Sequence, residues 1–437
     1  MNMHLTKNIV KILICLVALY ISVLTLVYSY DSSKLNRNID LGLHQLQIEG
    51  NYPKPFFGND SKIQLDNFTD IVMLKELKPN EGNKSSLYQA MNMNGYSRYW
   101  HGYVVVLRPL MSIWTYTQIR FISAFVLLGL FAYIFSIIKI EFGSIYAFGF
   151  FLTMMLIKFM IIPFSLQFTN LILVSFLSVV SSYMMLCKRR KVIDVDDLCI
   201  TTMVVGSITA FVDLLTTPIL PLGMVLIFAV VWNKVKYSSV IEIKFIIKTL
   251  ITWLLGFATT WASKWLVGSI VVGRNILLDA VHQATYRMNG SGAETAFKEV
   301  SRYIVIKAQF SYLFAPKQFC IVFIALILLS FIFLFAKYRA KKVNIAYIKS
   351  LLLISALPIM WYLIIANHSQ VHAWFTYRSL VITVISFLII GCQFIDFSTL
   401  NKVKEQNKEG YLEATVEYAL RGDLREKFLR YLKEVVK

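Results

Sequence analysis

The chain has 437 residues, of which 57% are hydrophobic and only 16% are charged. Soluble domains average about 45–50% apolar and about 25% charged residues, so this composition excludes an ordinary soluble protein. The formal net charge of +19 does not require nucleic acid, because membrane proteins collect lysine and arginine in cytoplasmic loops. The five cysteines form no CxxC pair and no metal-ligand spacing, which argues against a disulfide framework or a zinc site.

The apolar residues are grouped in blocks of about 18–22, the length that crosses a hydrocarbon core of about 30 Å. A soluble core of this size would show amphipathic periodicity instead. The first block lacks a clear small-residue cleavage site and is interpreted as a retained helix rather than a signal peptide. The predicted fold is an all-α polytopic membrane protein with about ten transmembrane helices, at approximately 9–28, 118–138, 144–162, 167–187, 198–214, 218–233, 248–270, 318–337, 346–366 and 379–396.

Basic clusters between the predicted spans indicate the orientation. With a cytoplasmic N-terminus, every cluster lies in the cytoplasm, as the positive-inside rule requires. This arrangement predicts a multi-pass plasma-membrane protein with both termini cytoplasmic. Residues 1–397 would form the transmembrane domain, and 398–437 a charged cytoplasmic helical tail. The clusters are Lys7 with Lys11, Lys188 to Lys191, Lys234 with Lys236, and Lys337 with Arg339, Lys341 and Lys342.

Two long loops, 29–117 and 271–317, are then extracytoplasmic, and we expect them to carry short interfacial helices. Five of the six histidines and many arginines fall on this outer side. Such a cationic surface suits an anionic ligand at the headgroup level, because arginine binds phosphate oxygens in a bidentate manner. The alternative is that these cations are solvated or anchor the loops to lipid headgroups. From the second loop, the candidate binding residues are Arg274, His282 and Arg287.

The first outer loop contains Asp66 and Asp70, which lie four residues apart and share one face of a helix. Two neighbouring carboxylates repel each other, so one can have a raised pKa that suits a general base. A helix N-cap at Asp66, or a solvated helix face, is the structural alternative. Further along this loop, Arg98, His101 and Arg108 stand among aromatic residues that could stack on a sugar or form an interfacial belt.

Asp213 lies in an apolar environment beside two prolines, Pro218 and Pro221. An acid at membrane depth is costly and marks a functional site by default. The prolines would break the helices and leave free backbone groups facing a cavity or other protein. Alternatively, Asp213 pairs with an arginine and locks the helix bundle.

The last outer segment, Asn367 to Arg378, is the most polar stretch beside the apolar blocks. His368 and His372 are four residues apart, but the glutamate of an HExxH zinc site is missing. With Tyr377 and Arg378 they resemble a set that binds phosphate and hydroxyl groups, and we expect this segment to bind a lipid phosphate. A polar turn flanked by belt aromatics is the alternative.

The many spans, the long first outer loop and its acidic residues Asp66 and Asp70 resemble the GT-C class of membrane glycosyltransferases. The paired acids that usually follow the first span in that class are absent here, and Asp31 and Asp40 are alternative acids. The resemblance implies transfer of a sugar from a polyprenyl-phosphate donor to a cell-surface polysaccharide or a lipid-linked acceptor. No cofactor follows from it with certainty, although a divalent cation, Mg²⁺ or Mn²⁺, could assist.

In the implied inverting mechanism, Asp66 or Asp70 is the base, and cations such as Arg108 and Arg378 stabilise the leaving lipid phosphate. One of these two aspartates would then be needed for activity but not for folding. An O-antigen-type polysaccharide polymerase or ligase is a second hypothesis, and it depends on outer arginine and histidine rather than on an aspartate. A lipid-linked oligosaccharide transporter and a structural membrane protein are further hypotheses. A transporter would carry charges at mid-depth in several spans and usually an internal repeat.

Overall fold

The computed structural model of the chain describes residues 3–55, 62–78, 84–187, 191–289, 300–340 and 342–396. The predicted tail, 398–437, lies outside these residues. All regular secondary-structure elements within these residues are helices, as the sequence predicts. The α-helices are α1 (Met3–Ser29), α2 (Ser33–Glu49), α3 (Asn67–Glu76), α4 (Ser86–Asn92), α5 (Val104–Ile113), α6 (Tyr116–Phe142), α7 (Ser144–Leu156), α8 (Leu166–Leu186), α9 (Val195–Val212), α10 (Ile219–Tyr237), α11 (Ile243–Val272), α12 (Ile276–Asn289), α13 (Arg302–Leu313), α14 (Lys317–Lys337), α15 (Ile345–Ile364), α16 (Ala366–Val371), α17 (Ala373–Thr376) and α18 (Val381–Cys392).

Eight helices of the described chain are long and apolar enough to cross a membrane. They are α1, α6, α8, α9, α10, α11, α15 and the continuous segment Ala373–Cys392, in which the 3-10 helix Tyr377–Leu380 joins α17 to α18. The multi-pass character is therefore supported by helix length and composition. The predicted spans 144–162 and 318–337 coincide with α7 and α14, which are not among these eight.

The predicted span 144–162 is divided into two helices. α7 contains 13 residues, and the 3-10 helix Phe159–Phe164 follows it. Between them Lys158 adopts a left-handed backbone conformation, with φ of 57°. Its ammonium group donates to the carbonyl oxygens of Tyr312 and Leu313, so the break is held by the end of α13.

The hydrogen bonds of two acids show how α6 and α8 run. Asp70 accepts from the hydroxyl of Tyr116 and from the amide of Leu166, each at 2.8 Å, so both helices begin beside it. Glu141 accepts from the hydroxyl of Tyr183 at 2.8 Å and pairs with Lys236 at 2.9 Å, so α6, α8 and α10 end together. The two helices are therefore parallel, and α7 with the 3-10 helix must return the chain, over a length of about 30 Å. We call the end where α6 and α8 begin the loop end.

Both predicted outer loops are largely helical where the structure describes them. The first contains α2 to α5, and the second contains α12 and α13. A shared core joins the first loop to α1 through buried residues such as Leu24, Leu35, Leu74, Met91 and Trp100. This packing makes the first loop a cap on the loop end rather than a loose connection.

The chain forms two compact units by internal contacts. One comprises 1–322 and 345–389, and it contains every candidate site residue; the other comprises 323–344 and 390–437. Within the second unit, an antiparallel bridge joins Arg339 to Ile395.

Candidate functional site

A cavity of about 460 Å³ lies at the loop end. Four of the predicted site residues line it: Asp66, Arg287, His368 and His372. They come from α3, α12 and the α16 region, so the fold brings together both outer loops and the last polar segment. The other polar and aromatic lining residues include Tyr52, Phe68, Thr69, Lys75, Glu76, Tyr96, Gln167, Trp374 and Phe375.

Asp66 is the N-cap of α3. One carboxylate oxygen accepts from the backbone amide of Thr69 at 3.0 Å, and the other from the Thr69 hydroxyl at 2.9 Å. Its side chain faces the cavity although the residue is only 1% exposed. Burial raises the pKa of Asp66, whereas the Thr69 hydrogen bonds and the nearby Arg378 oppose the rise. A helix N-cap and a general base are therefore compatible roles for Asp66, because one carboxylate can cap a helix and keep free lone pairs.

Asp70 is turned away from the cavity and is completely buried. Besides the hydrogen bonds from Tyr116 and Leu166, Asp70 accepts from the Ser165 hydroxyl at 3.0 Å and from the backbone amide of Gln167 at 3.1 Å. Ser165 itself provides no side-chain cap for α8, so the carboxylate of Asp70 takes that place. Burial raises the pKa of Asp70 to about 6, and the hydrogen bonds oppose this rise. These contacts favour a structural role.

Glu76 also lines the cavity, although no sequence motif predicts it as a site residue. It ends α3 and is 6% exposed. Within the described residues its Oε2 atom has no hydrogen-bond partner. Burial raises the pKa of Glu76 to about 8, and the positive charge of Lys264 opposes the rise. The sequence signal near this site is Lys264, a lysine inside the apolar helix α11, because charges inside spans are rarely accidental. The sequence does not identify Glu76 as its neighbour.

Arg287 and His368 form a hydrogen-bonded pair in the cavity wall. The Nη1 atom of Arg287 lies 2.5 Å from Nδ1 of His368, and Nε2 of His368 lies 2.8 Å from the Leu215 carbonyl oxygen. A guanidinium only donates and a carbonyl only accepts, so the ring is neutral and carries its proton on Nε2. Burial, followed by the charge of Arg287, holds the pKa of His368 well below its usual range.

His372 is also neutral near pH 7. Its ring lies 4.7 Å from that of His368 and stacks on Phe375 at 5.0 Å. Burial and the charge of Arg287 lower the pKa of His372 to about 4. Its Nδ1 atom has no hydrogen-bond partner among the described residues. The positive charge at this side of the cavity therefore comes from Arg287, while the histidines offer neutral ring nitrogens.

Tyr377 and Arg378 do not reach the cavity surface. Arg378 is 1% exposed, its guanidinium lies 3.8 Å from the ring centre of Phe168, and it donates to the Trp374 carbonyl oxygen at 3.1 Å. The hydroxyl of Tyr377 donates to the Ile157 carbonyl oxygen at 3.1 Å, where α7 ends. Arg378 is therefore enclosed by the helix bundle, whereas the predicted binding of a lipid phosphate would require an accessible guanidinium.

Asp213 caps the C-terminal end of α9 and stands at the loop end rather than in the middle of a span. Its Oδ1 atom accepts from the Thr216 amide at 3.0 Å, and Oδ2 has no hydrogen-bond partner within the described chain. Its neighbour Leu214 lines the cavity. The alternative, in which Asp213 pairs with an arginine, is not among the described ion pairs; Oδ1 instead holds the turn after α9. The functional role of Asp213 stays a prediction.

Three other predicted residues support the walls. Arg98 pairs with Asp279 at 3.3 Å and stacks on Tyr96 at 4.4 Å. Both ring nitrogens of His101 are engaged, by the Tyr103 hydroxyl at 3.0 Å and the Tyr96 carbonyl at 2.9 Å, and burial lowers its pKa to about 3. Arg274 donates to the Ser97 hydroxyl and to the Gly95 carbonyl oxygen.

Arg108 and His282 lie elsewhere. Arg108 donates to the carbonyl oxygens of Val27, Tyr30 and Leu77, where α1 and α3 end. A cation at two helix C-terminal ends complements their partial negative charges, so its position indicates a structural role. His282 is exposed on α12, away from the cavity lining.

Among the described residues, no group of three or more histidine, cysteine, aspartate or glutamate side chains could hold a metal ion. The part played by Mg²⁺ or Mn²⁺ therefore stays a prediction. No protein family matches the chain, and no curated protein or solved structure matches it either.

Proposed function

We propose that the chain is a membrane glycosyltransferase that transfers a sugar from a polyprenyl-phosphate donor at its loop end. The observation that carries the proposal is the position of Asp66, a buried carboxylate with a raised pKa that faces a cavity at the end of a bundle of apolar helices. A raised pKa brings a carboxylate closer to the range in which a general base works near neutral pH.

The lining of the cavity suits a sugar with an attached phosphate. The rings of Tyr52 and Trp374 meet edge to face with centroids 5.5 Å apart, and Phe68 lies next to Tyr52. Aromatic faces pack against the apolar faces of sugar rings, while Arg287 supplies a guanidinium for phosphate oxygens.

The proposed reaction inverts the anomeric centre. Asp66 takes the proton from an acceptor hydroxyl as its oxygen bonds to the anomeric carbon. The bond from that carbon to the phosphate oxygen breaks, and the lipid phosphate leaves with the electron pair. Arg287 stabilises the charge that develops on the leaving group, and neutral His372 can donate a hydrogen bond. A cytoplasmic N-terminus, a plasma-membrane location and a glycan or lipid-linked acceptor belong to the same proposal.

An Asp66→Asn variant tests the proposal in transfer assays with radiolabelled polyprenyl-phosphate hexoses and N-acetylhexosamines. Asparagine is as good an N-cap as aspartate, so the fold is retained. We expect transfer to fall by about 10²–10⁴-fold, since the base is lost. Asp40→Asn is the comparison: Asp40 is an alternative acid in the sequence, but it is exposed, pairs with Lys78 and is not in the cavity lining, so this variant should transfer at the wild-type rate. Transfer at the wild-type rate by the Asp66 variant would contradict the proposal.

A polymerase or ligase of lipid-linked polysaccharide is the second candidate. The observation that favours it is the Arg287–His368 pair in the cavity wall, which needs no aspartate to bind a pyrophosphate. This reading predicts that Arg287→Ala abolishes polymer formation while Asp66→Asn leaves it intact. The same pair of variants therefore decides between the two reactions.

A further inference from the structure

Glu76 leaves a buried carboxylate oxygen unpaired at the cavity wall. The residue is only 6% exposed, and its Oε2 atom has no hydrogen-bond partner within the part of the chain described. An unsatisfied buried polar group destabilises a protein, so such a group is expected to have a partner when the site is filled. The proposed reaction does not use it, because Asp66 already provides the base.

The neighbours of Glu76 fix its position without satisfying it. Its backbone carbonyl accepts from the hydroxyl of Tyr28 at 2.6 Å, which holds the end of α3 against α1. The positive charge of Lys264 is close enough to lower the pKa of Glu76. The ammonium group, however, donates to the carbonyl oxygens of Ala90 and Met91 at 3.0 and 3.1 Å. The carboxyl group is thus held at the cavity by the backbone and remains available.

A second unpaired acceptor lies on the same cavity lining. The side-chain amide of Gln167 donates to the Thr216 hydroxyl at 3.1 Å, and its Oε1 atom has no partner among the described residues. Two acceptors in one polar wall match a ligand that carries several hydroxyl groups. The aromatic rings of Tyr52 and Trp374 in the same lining match the apolar face of such a ligand.

We propose that Glu76 binds a ring hydroxyl of the sugar in the cavity and thereby determines which sugar is accepted. This inference rests on the proposed function, since it assumes that a sugar occupies the site. Burial raises the pKa of Glu76 and so favours the protonated carboxyl group, which can both donate to and accept from a hydroxyl.

Binding of synthetic farnesyl-phosphate conjugates to the full chain in detergent tests the inference. The probes are farnesyl phosphate, its glucose conjugate, and four conjugates that lack one of the hydroxyls at C2, C3, C4 or C6 of the glucose. Wild-type chain should bind one deoxy conjugate roughly 3- to 10-fold more weakly than the glucose conjugate, the effect of one hydrogen bond. In Glu76→Met that difference should disappear, while farnesyl phosphate alone binds as before. Glu76→Gln, which keeps hydrogen-bonding groups, should retain most of the affinity for the glucose conjugate.

Glu242→Met is the matched control, because Glu242 is an exposed glutamate at the opposite end of the bundle. If Glu76→Met does not fold, the deoxy series is measured on Glu76→Ala, which removes the carboxyl group without adding bulk, and the discrimination should again disappear. Unchanged discrimination in Glu76→Met or Glu76→Ala overturns the role of Glu76 but leaves the proposed function standing. Equal binding of the glucose conjugate and farnesyl phosphate by wild type overturns the proposed function, and the inference with it. If Glu76→Met binds every probe more weakly than wild type, the substitution has a structural effect, and this result would also overturn the inference.

Discussion

Asp66 and Asp70 share α3, yet their side chains meet different surroundings. Asp66 turns back to its own helix N-terminus and borders the cavity, whereas Asp70 reaches two other helices. The spacing of the two acids predicts their common helix. It cannot predict their partners, because Tyr116 and Ser165 to Gln167 are 46 to 97 positions away in the chain.

Asp70→Asn should therefore destabilise the protein. Each oxygen of Asp70 accepts from two donors, so an amide group in either position would face donors it cannot accept from. We expect a loss of at least about 2 kcal/mol, since buried donors are left unsatisfied. Thermal unfolding in detergent measures it, with Asp40→Asn as the exposed control. A wild-type melting temperature for the Asp70 variant would mean that the acid is not a structural clamp, and would restore it as a candidate base.

At the residue scale, the sequence pattern does not predict which side chains line the cavity, and the reason is physical. Glu76 follows Lys75 in a helix end that looks solvated, and only the folded chain places Lys264 near it. Conversely, Arg108 and His101 look like ligand-binding residues because they stand among aromatic residues. In the structure they bind backbone carbonyls and the Tyr103 hydroxyl, which the sequence pattern does not reveal.

At the scale of elements, hydropathy predicts long spans well and irregular ones less well. The eight long helices stand where the apolar blocks predict them. The block 144–162 has the composition of one helix, but the contacts of Lys158 with α13 and of Tyr377 with Ile157 divide it. Those contacts join distant parts of the chain, so a window along the sequence does not detect them.

Helices α9 and α11 approach closely through two glycines. A β-carbon at Gly206 would lie 2.3 Å from the Trp253 carbonyl oxygen, and one at Gly256 would lie 2.1 Å from the Met203 carbonyl oxygen. Small residues allow membrane helices to pack in this way. The hydroxyls of Thr202 and Thr252, 3.0 Å apart, hydrogen-bond across the same contact.

Gly256→Ala should force these helices apart. We expect a loss of about 1–3 kcal/mol, the usual cost of overpacking, because the new β-carbon would clash with the backbone of Met203 rather than with a flexible side chain. The melting temperature in detergent is the measurement. Gly129→Ala on α6 is a matched control, since no atom would lie within 4 Å of its β-carbon, and it should melt no lower than wild type. Equal melting temperatures for both alanine variants would contradict the close α9–α11 contact.

At the scale of the whole molecule, the side of the membrane on which the loop end lies determines which sugar donors can reach the cavity. α9 and α11 begin together, where Asp196 pairs with Lys248 at 2.5 Å, and Lys264 further along α11 reaches the capping loop. The side chains at the start of α11 are therefore opposite the loop end. The basic clusters predict that the opposite end is cytoplasmic, and this orientation puts the cavity where polyprenyl-phosphate sugars are used.

Labelling of single cysteines by a membrane-impermeant maleimide tests this orientation in intact cells. Lys84→Cys, in the loop cap, and Lys244→Cys, at the start of α11, are made in a chain from which the five native cysteines have been removed. Lys244 is well exposed, with 66% of its side chain accessible, so poor access would not explain a lack of labelling. We expect the cysteine at 84 to react in intact cells and that at 244 only after permeabilisation, because positive charge retains the opposite end in the cytoplasm. Equal labelling of both would contradict the two-ended bundle. The reverse pattern would put the cavity in the cytoplasm, where nucleotide sugars are available, and the polyprenyl-phosphate donor would lose its rationale.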